Sequence, residues 1–334
     1  YCKNYKNNNY IKYSNEERDE IFKKFKNKIN KPDCIVPLSG GRDSCFALHL
    51  VKKKFNLKPI AYTYDWGLVT DLARRNISKM CSLLNIENIV FADNISKKRA
   101  FIRKNVSAWL KKPHLGMVNL FTAGDKHFFR HVQTVKKRTG LELDLWGINP
   151  YEVTYFKSGF LGIRPDFELR EVYNIGLYKQ ASYHSRRFFQ MLKNPAYLNS
   201  SIFDNLHGEL YRSVLKKKNH YSIFDFYKWN EEEVEQTLKL YNWEKSTDTK
   251  STWRIGDGAA AFYNYIYYTI AGFSEYDTFR SNQIRSGDIS RSKALELIKS
   301  ESKPRFENIK WFLEIINIDF EEAIKRINQF KMIN

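Results

Sequence analysis

CIVPLSGGRDSCFALHLVKKKF, residues 34–55, decides how this chain folds. CIVPLS reads as a short buried strand, and DSCFALHLVKKKF as a helix that follows a glycine turn. Between them stand Ser39, Gly40, Gly41, Arg42, Asp43 and Ser44. Two adjacent glycines allow positive φ and a close backbone approach, so that successive N–H groups can point at phosphate oxygens. The N-terminus of the following helix adds its positive dipole end. Ser39 and Ser44 offer hydroxyls to the same oxygens, and Asp43 can hold Mg²⁺ against them. A GxxxxGK[ST] loop occurs nowhere in the chain, which excludes the other common phosphate cradle.

The same alternation continues on both sides. Upstream, SNEERDEIFKKFKNKI reads as a helix in which Ser14 and Glu17 form a capping box. Downstream, PIAYTYD is a second strand, TDLARRNISKMCSLLN a helix and NIVFAD a third strand. A basic helix follows over 97–111, then NLFTAGDKHFFRHVQTVKKR as a helix closed by Gly140, then LELDLWGINP as a fourth strand. Apolar strands alternating with amphipathic helices predict a parallel sheet covered on both faces, with ligands at the strand C-terminal ends. Beyond residue 165 the text changes to helical periodicity rich in Tyr and Phe, as in EEEVEQTLKLYNW, GAAAFYNYIYYTIAGF and SRSKALELIKSE. The expected organisation is a polar helical segment (1–33), an α/β nucleotide-binding domain (34–165) and a mostly helical substrate or packing region (166–334).

SGGRDS after a strand resembles the SGGxDS motif of the PP-loop ATP pyrophosphatases, a superfamily with an adenine nucleotide alpha hydrolase-like fold that includes asparagine synthetase, GMP synthetase and tRNA-modifying ligases. The resemblance implies an ATP- and Mg²⁺-dependent ligase. ATP is cleaved to AMP and pyrophosphate, a carbonyl oxygen is adenylated, and a nitrogen or sulfur nucleophile displaces AMP. It also implies that Ser39, Gly40, Gly41, Arg42, Asp43 and Ser44 hold the phosphates, with Asp43 on the metal. The adenine would rest against 62–66, where Tyr62, Thr63 and Asp65 lie, flanked by Pro37 and Leu38.

Three further stretches, 146–152 (WGINPYE), 252–258 (TWRIGDG) and 277–285 (DTFRSNQIR), look like the N-acetyl sugar amidotransferases of surface-polysaccharide (lipopolysaccharide, O-antigen, flagellar glycan) biosynthesis. That resemblance implies a nucleotide-activated N-acetyl sugar as substrate and an acetamidino sugar as product. It also implies a separate glutaminase subunit that supplies ammonia, since Cys2 lies too near the phosphate loop to head a glutaminase domain. The chain departs from the pattern at Tyr5 and at Pro113, His114, Leu115 and Gly116, where cysteines are common. Those departures put an N-terminal zinc knuckle in doubt and weaken a sulfur-transfer reading. The alternative is a tRNA-modifying ligase with the same adenylation chemistry.

Composition narrows the classes. The chain has 334 residues and a net charge of +19, from 56 Lys and Arg against 37 Asp and Glu. The basic residues fall in short separate runs (52–54, 97–99, 136–138, 216–218), which argues against a nucleic-acid partner and suits anionic small molecules. No apolar run is long enough to span a membrane, and no signal peptide is read at the N-terminus, so the cytoplasm is the expected location. Cys2, Cys34, Cys45 and Cys81 form no metal-binding pattern, and the last three read as buried, reduced thiols.

Candidate catalytic residues are Asp43, Asn149, Glu152, Arg254 and Asp257. Asn149 and Glu152 follow a strand end, where α/β folds place ligand groups. Asp257 sits in a glycine-flanked turn and either caps a helix or acts in catalysis. Asp125 and Lys126 are either a solvated pair or cleft contacts. Arg280, Asn282 and Arg285 either clamp a diphosphate or form a structural ion-pair set. His127 and His131 share a helix face without a third ligand. The aromatic stripe Phe262, Tyr263, Tyr265, Ile266, Tyr268 reads as core or homodimer packing.

Overall fold

The computed structural model describes residues 11–27, 31–122, 124–165 and 177–330. Cys2 and Tyr5, and with them the zinc-knuckle question, lie outside the described residues. Five strands form one sheet: β1 (Cys34–Pro37), β2 (Pro59–Asp65), β3 (Asn88–Ala92), β4 (Asp144–Trp146) and β5 (His220–Ser222). Their order is β3-β2-β1-β4-β5, and every pairing is parallel. The chain works outward from β1 through β2 to β3, then returns to the opposite side of β1 as β4. The sheet therefore reverses direction between β1 and β4, which is where open α/β sheets bind ligands.

Helix α1 (Asn15–Phe25) carries the capping box of Ser14 and Glu17. Helices α2 (Arg42–His49), α3 (Asp71–Leu84), α4 (Ile95–Lys111) and α5 (Phe128–Thr139) connect the strands. Thr70 caps α3 by accepting from the Ala73 N–H at 3.1 Å, and Gly140 closes α5 at φ 74°. Residues buried on both sheet faces explain the continuous apolar text of β1 and β2, all of whose positions are buried. One face packs Ile35, Tyr62 and Tyr64 against α4, α5 and the later helix α10; the other packs Cys34 and Val36 against Phe46, Met80 and Leu84. Cys34, Cys45 and Cys81 are buried free thiols, and burial pushes the Cys81 thiol up to about 11.

Three local expectations fail for identifiable reasons. The helix read over 119–138 is broken into 3₁₀ turns at Leu115–Thr122 and Asp125–His127 before α5 begins. Gly124 lies at the break, and its carbonyl accepts from Tyr64 Oη at 3.3 Å instead of continuing a helical ladder. The helix after β1 ends in a π-helical turn, Leu50–Lys54. The fifth strand comes from the stretch read as helical. At three residues it is too short to show alternation, and it exists because Tyr221 pairs with Leu145 of β4.

The remaining helices are α6 (Tyr155–Gly159), α7 (Leu177–Lys193), α8 (Ser201–Glu209), α9 (Glu231–Lys239), α10 (Ala260–Ala271), α11 (Glu275–Arg285), α12 (Arg291–Glu301), α13 (Phe306–Ile315) and α14 (Phe320–Asn328). Phe262, Tyr263, Tyr265 and Ile266 of α10 are core, whereas Tyr268 at the end of the stripe is exposed. Residues from before and after 165 share both cores: Ile35 clusters with Phe262, and Phe46 with Trp229 and Trp253.

Candidate active site

Backbone approach builds the floor of the site. Gly40 has φ +79°, and a Cβ there would stand 2.3 Å from the Ala73 carbonyl oxygen of α3. Gly147, just after β4, is pressed as closely: its Cβ would meet the Asp43 carbonyl oxygen at 2.5 Å. Only glycine lets the loop after β1 lie on α3 and the end of β4 lie on the first turn of α2 this closely. Ser44 Oγ donates to the Gly41 carbonyl at 3.0 Å and accepts from the Ser39 N–H at 3.2 Å, while the two hydroxyls lie 3.0 Å apart. Gly41 caps α2 without a side-chain acceptor, so the first-turn amides face the loop unscreened.

Two tryptophans fix the two carboxylates beside this floor. Trp229 Nε1 donates to Asp43 Oδ1 at 2.7 Å, and Trp253 Nε1 donates to Glu152 Oε1 at 2.6 Å. Phe279 joins them: Trp253 stacks on it at 4.5 Å and Trp229 meets it edge-on at 5.8 Å. The second oxygens, Asp43 Oδ2 and Glu152 Oε2, lie 3.6 Å from Arg42 Nε and 3.8 Å from Arg254 Nη2. Burial raises the pKa of Glu152, Arg254 opposes that rise, and the charge of Asp43 adds to it. Hard oxygen donors of this kind suit Mg²⁺. Among the described residues no group of three His, Cys, Asp or Glu could hold a metal. Phosphate oxygens and water would have to complete the shell, as Mg²⁺ sites on nucleotides do.

The remaining predicted residues divide. Thr63 lines the cleft and donates to the Leu38 carbonyl at 2.8 Å. Tyr62 points the other way into the core, with its Oη 3.3 Å from the Phe128 carbonyl. Asp65 shapes the turn after β2 by accepting from the Gly67 N–H at 2.8 Å and pairing with Arg74 at 2.5 Å. Asn149 is fully buried, and its Oδ1 accepts from the Tyr151 N–H at 2.9 Å; it builds the turn that presents Glu152 rather than facing the cleft. Arg42 was expected at the phosphates. Its guanidinium is instead buried against Trp229 and Phe279, 2.6 Å from Glu231 and 2.8 Å from Thr252 Oγ1.

Glu231 also pairs with Arg280, which in turn pairs with Glu301. Burial alone would raise the Glu231 carboxyl; Arg42 and Arg280 hold it at about 2. Asn282 Nδ2 donates to the Tyr151 carbonyl at 3.0 Å, and its Oδ1 accepts from Arg285 Nη1 at 3.0 Å. The set at 280–285 is thus an internal ion-pair and hydrogen-bond set behind the tryptophans. His127 Nε2 lies 3.3 Å from the Asp204 carboxylate and His131 Nε2 3.7 Å from that of Asp93, so the two rings serve different carboxylates.

The far wall comes from the late part of the chain. Residues 255–258 cross the loop after β2: Thr70 N–H donates to the Gly256 carbonyl at 3.4 Å and Gly258 N–H to the Leu68 carbonyl at 3.2 Å. Arg254 adopts φ +57° and lies 3.4 Å from Glu275, which also pairs with Lys157. Asp257 Oδ1 accepts from the Ala259 N–H at 2.8 Å, which closes the turn before α10; the N-cap of that helix is Ala259, without a side-chain cap. The carboxyl also lines the cleft, and burial pushes it up to about 6, with Arg254 opposing and Asp125 and Glu275 adding. Asp125 and Lys126 both line the cleft, and Lys126 pairs there with buried Glu209. The cleft has a volume of about 480 Å³. Trp229, Glu231 and Glu275 carry no motif that singles them out; only the fold brings them to Asp43, Arg42 and Arg254.

No family model matches the chain. It is 27% identical over 125 residues to a 7-cyano-7-deazaguanine synthase of Clostridium botulinum (strain 657), covering 36% of this chain and 57% of that protein. A second 7-cyano-7-deazaguanine synthase, from Leptospira biflexa, is 23% identical over 175 residues, 47% of this chain and 69% of that one. An uncharacterized protein of Methanocaldococcus jannaschii is 42% identical over 50 residues, covering 15% and 18% of the two chains. The likeness is to PP-loop enzymes that use ATP. The chain spans little more than half the length of the first of these relatives. No helix among the described residues is long and apolar enough to cross a membrane.

Proposed function

We propose that the chain is an AMP-forming amidotransferase that turns the acetamido group of a nucleotide-linked N-acetyl sugar into an acetamidino group. The observation that carries the ATP half is the pair Asp43 and Glu152, each fixed by an indole N–H where the loop after β1 meets the end of β4. The acceptor half rests on the resemblance of 146–152, 252–258 and 277–285. The first two stretches border the cleft, and the third supplies Phe279 behind it.

In the first half-reaction the acetamido oxygen attacks the α-phosphorus of ATP. An O–P bond forms, the α–β bridging bond breaks, and pyrophosphate leaves as the amide nitrogen loses its proton. Loop amides and Ser39 and Ser44 hydroxyls would hold the departing oxygens. Mg²⁺ on Asp43 and Glu152 would supply charge neutralisation for pyrophosphate. In the second, ammonia attacks the imidate carbon, the C–O bond breaks, and AMP leaves. Asp257, poised near neutral pH, accepts the proton that the attacking nitrogen sheds, and Arg254 faces the phosphate charge. Ammonia would come from a separate glutaminase subunit.

The relatives favour a second acceptor. Their name denotes a nitrile on a deazapurine, and a carbonyl oxygen on such a heterocycle could be adenylated by the same loop. Pyrophosphate release from ATP and Mg²⁺ with ammonium distinguishes the acceptors. Nucleotide-activated N-acetyl sugars are expected to stimulate it, giving a product about one mass unit lighter as oxygen gives way to NH, and Asp43→Ala abolishes the release. Stimulation by a carboxylated deazapurine or by bulk tRNA, with none by sugars, would overturn the sugar assignment and leave the ATP chemistry standing.

A further inference from the structure

Among the described residues, ten of the seventeen large apolar side chains that stand out into solvent fall between Tyr178 and Leu215. All but Leu198 and Leu215 lie on α7 or on the run formed by α8 and the π-helical turn Leu210–Val214. In that run Phe203, Leu206, Leu210 and Val214 recur every three or four residues, which places them on one helix face. Phe203 is 78% exposed, and Phe189 on α7 is 61% exposed. A solvent-facing helix surface ordinarily carries the opposite pattern.

The charges on the same stretch are one-sided. Residues 177–219 contain two acids, Asp204 and Glu209, and both turn inward. Asp204 pairs with Lys98 at 2.7 Å, and Glu209 pairs with buried Lys126. Arg186, Lys193, Lys216 and Lys218 remain on the exposed side.

We infer that the outer face of α7 and α8 docks in the plane of an anionic bilayer surface. Protruding Phe and Leu side chains enter the boundary between headgroups and acyl chains, while Lys and Arg keep their charges among the phosphates. A second copy of the chain would bring the same cationic face against itself, and nucleic acid would leave the aromatic side chains solvated. The inner sides of the same segments, through Gln180, Tyr183 and Ser213, line the cleft. Docking therefore sets the cleft beside the lipid surface.

The test is flotation of the full chain with vesicles of phosphatidylcholine alone or with phosphatidylglycerol added, at low and high salt. Binding is expected on anionic vesicles only, weakened by salt. Phe189→Asp with Phe203→Asp, at exposed positions that leave the melting temperature unchanged, is expected to lower binding about tenfold or more. Lys216→Glu with Lys218→Glu is expected to do the same by charge alone. The inference is overturned if the chain stays with the soluble fraction on anionic vesicles. It is also overturned if the Asp variant binds like the parent, or if light scattering shows a dimer that the Asp variant dissolves.

Discussion

Trp229 donates its indole N–H to Asp43 across 186 positions of sequence, at 2.7 Å. The acid that motif reading assigns to the metal is therefore aimed by a residue of the C-terminal half. Trp229→Phe keeps a ring against Phe279 and removes the donor together with part of a fully buried indole. A hydrogen bond to a charged group contributes about 1.5–3 kcal/mol, so the folded state should lose at least an amount of that order. The sharper readout is the Mg²⁺ concentration giving half-maximal pyrophosphate release, expected to rise severalfold. An unchanged Mg²⁺ curve would remove Trp229 from any positioning role.

Gly147→Ala places a methyl group 2.5 Å from the Asp43 carbonyl oxygen, a backbone contact too close to keep without a shift. Loss of nucleotide binding is expected, seen with a fluorescent ATP analogue. Gly159→Ala serves as the control, because nothing lies within 4 Å of the added carbon and φ is not positive there. Equal damage from both substitutions would mean that the contact of Gly147 with the first turn of α2 is not what holds the loop.

Arg42→Met distinguishes a phosphate ligand from a scaffold residue. Breaking a buried ion pair costs about 3–5 kcal/mol, because Glu231 loses one of its partners. Urea denaturation should show that loss. ATP affinity measured on the folded fraction should stay within about threefold. A large fall in affinity with little loss of stability would return Arg42 to the phosphates.

The Asp257 carboxyl gives a pH signature. Its folded pKa of about 6 lies above its ordinary 3.8, so the native state binds the extra proton between those values. The contribution of this group to stability is therefore fully present below about pH 4 and is lost as pH rises through about 6. Activity runs the other way, since a base must be ionised: turnover with saturating ammonium should climb through pH 6. Asp257→Asn should flatten both profiles. A stability profile that keeps its slope in Asp257→Asn would assign the titration to another group.

Much of the sheet was legible because its strands are buried on both faces. PIAYTYD reads as an unbroken apolar segment and is β2 to the residue. The glycine pair and its serines were legible for a similar reason: few other residues tolerate φ +79° beside a helix backbone. What stayed hidden depends on partners distant in sequence. His220–Ser222 becomes a strand only because β4 offers an edge, and Asn149 looks like a ligand until its side chain is seen closing its own turn. Arg42 sits inside the motif, yet burial under Trp229 and Phe279 decides what it touches. Local text carries the backbone of this site and does not carry the assignment of its charges.

The separation between Asp43 and Trp229 also sets an order of events on the ribosome. At bacterial to eukaryotic elongation rates, roughly ten to forty seconds pass between the two residues leaving the peptidyl-transferase centre. During that time the nascent chain displays the full phosphate motif with no indole to aim its carboxylate and no β5 to finish the sheet. A chain interrupted before residue 229 carries the SGGRDS stretch without the indole N–H that holds Asp43.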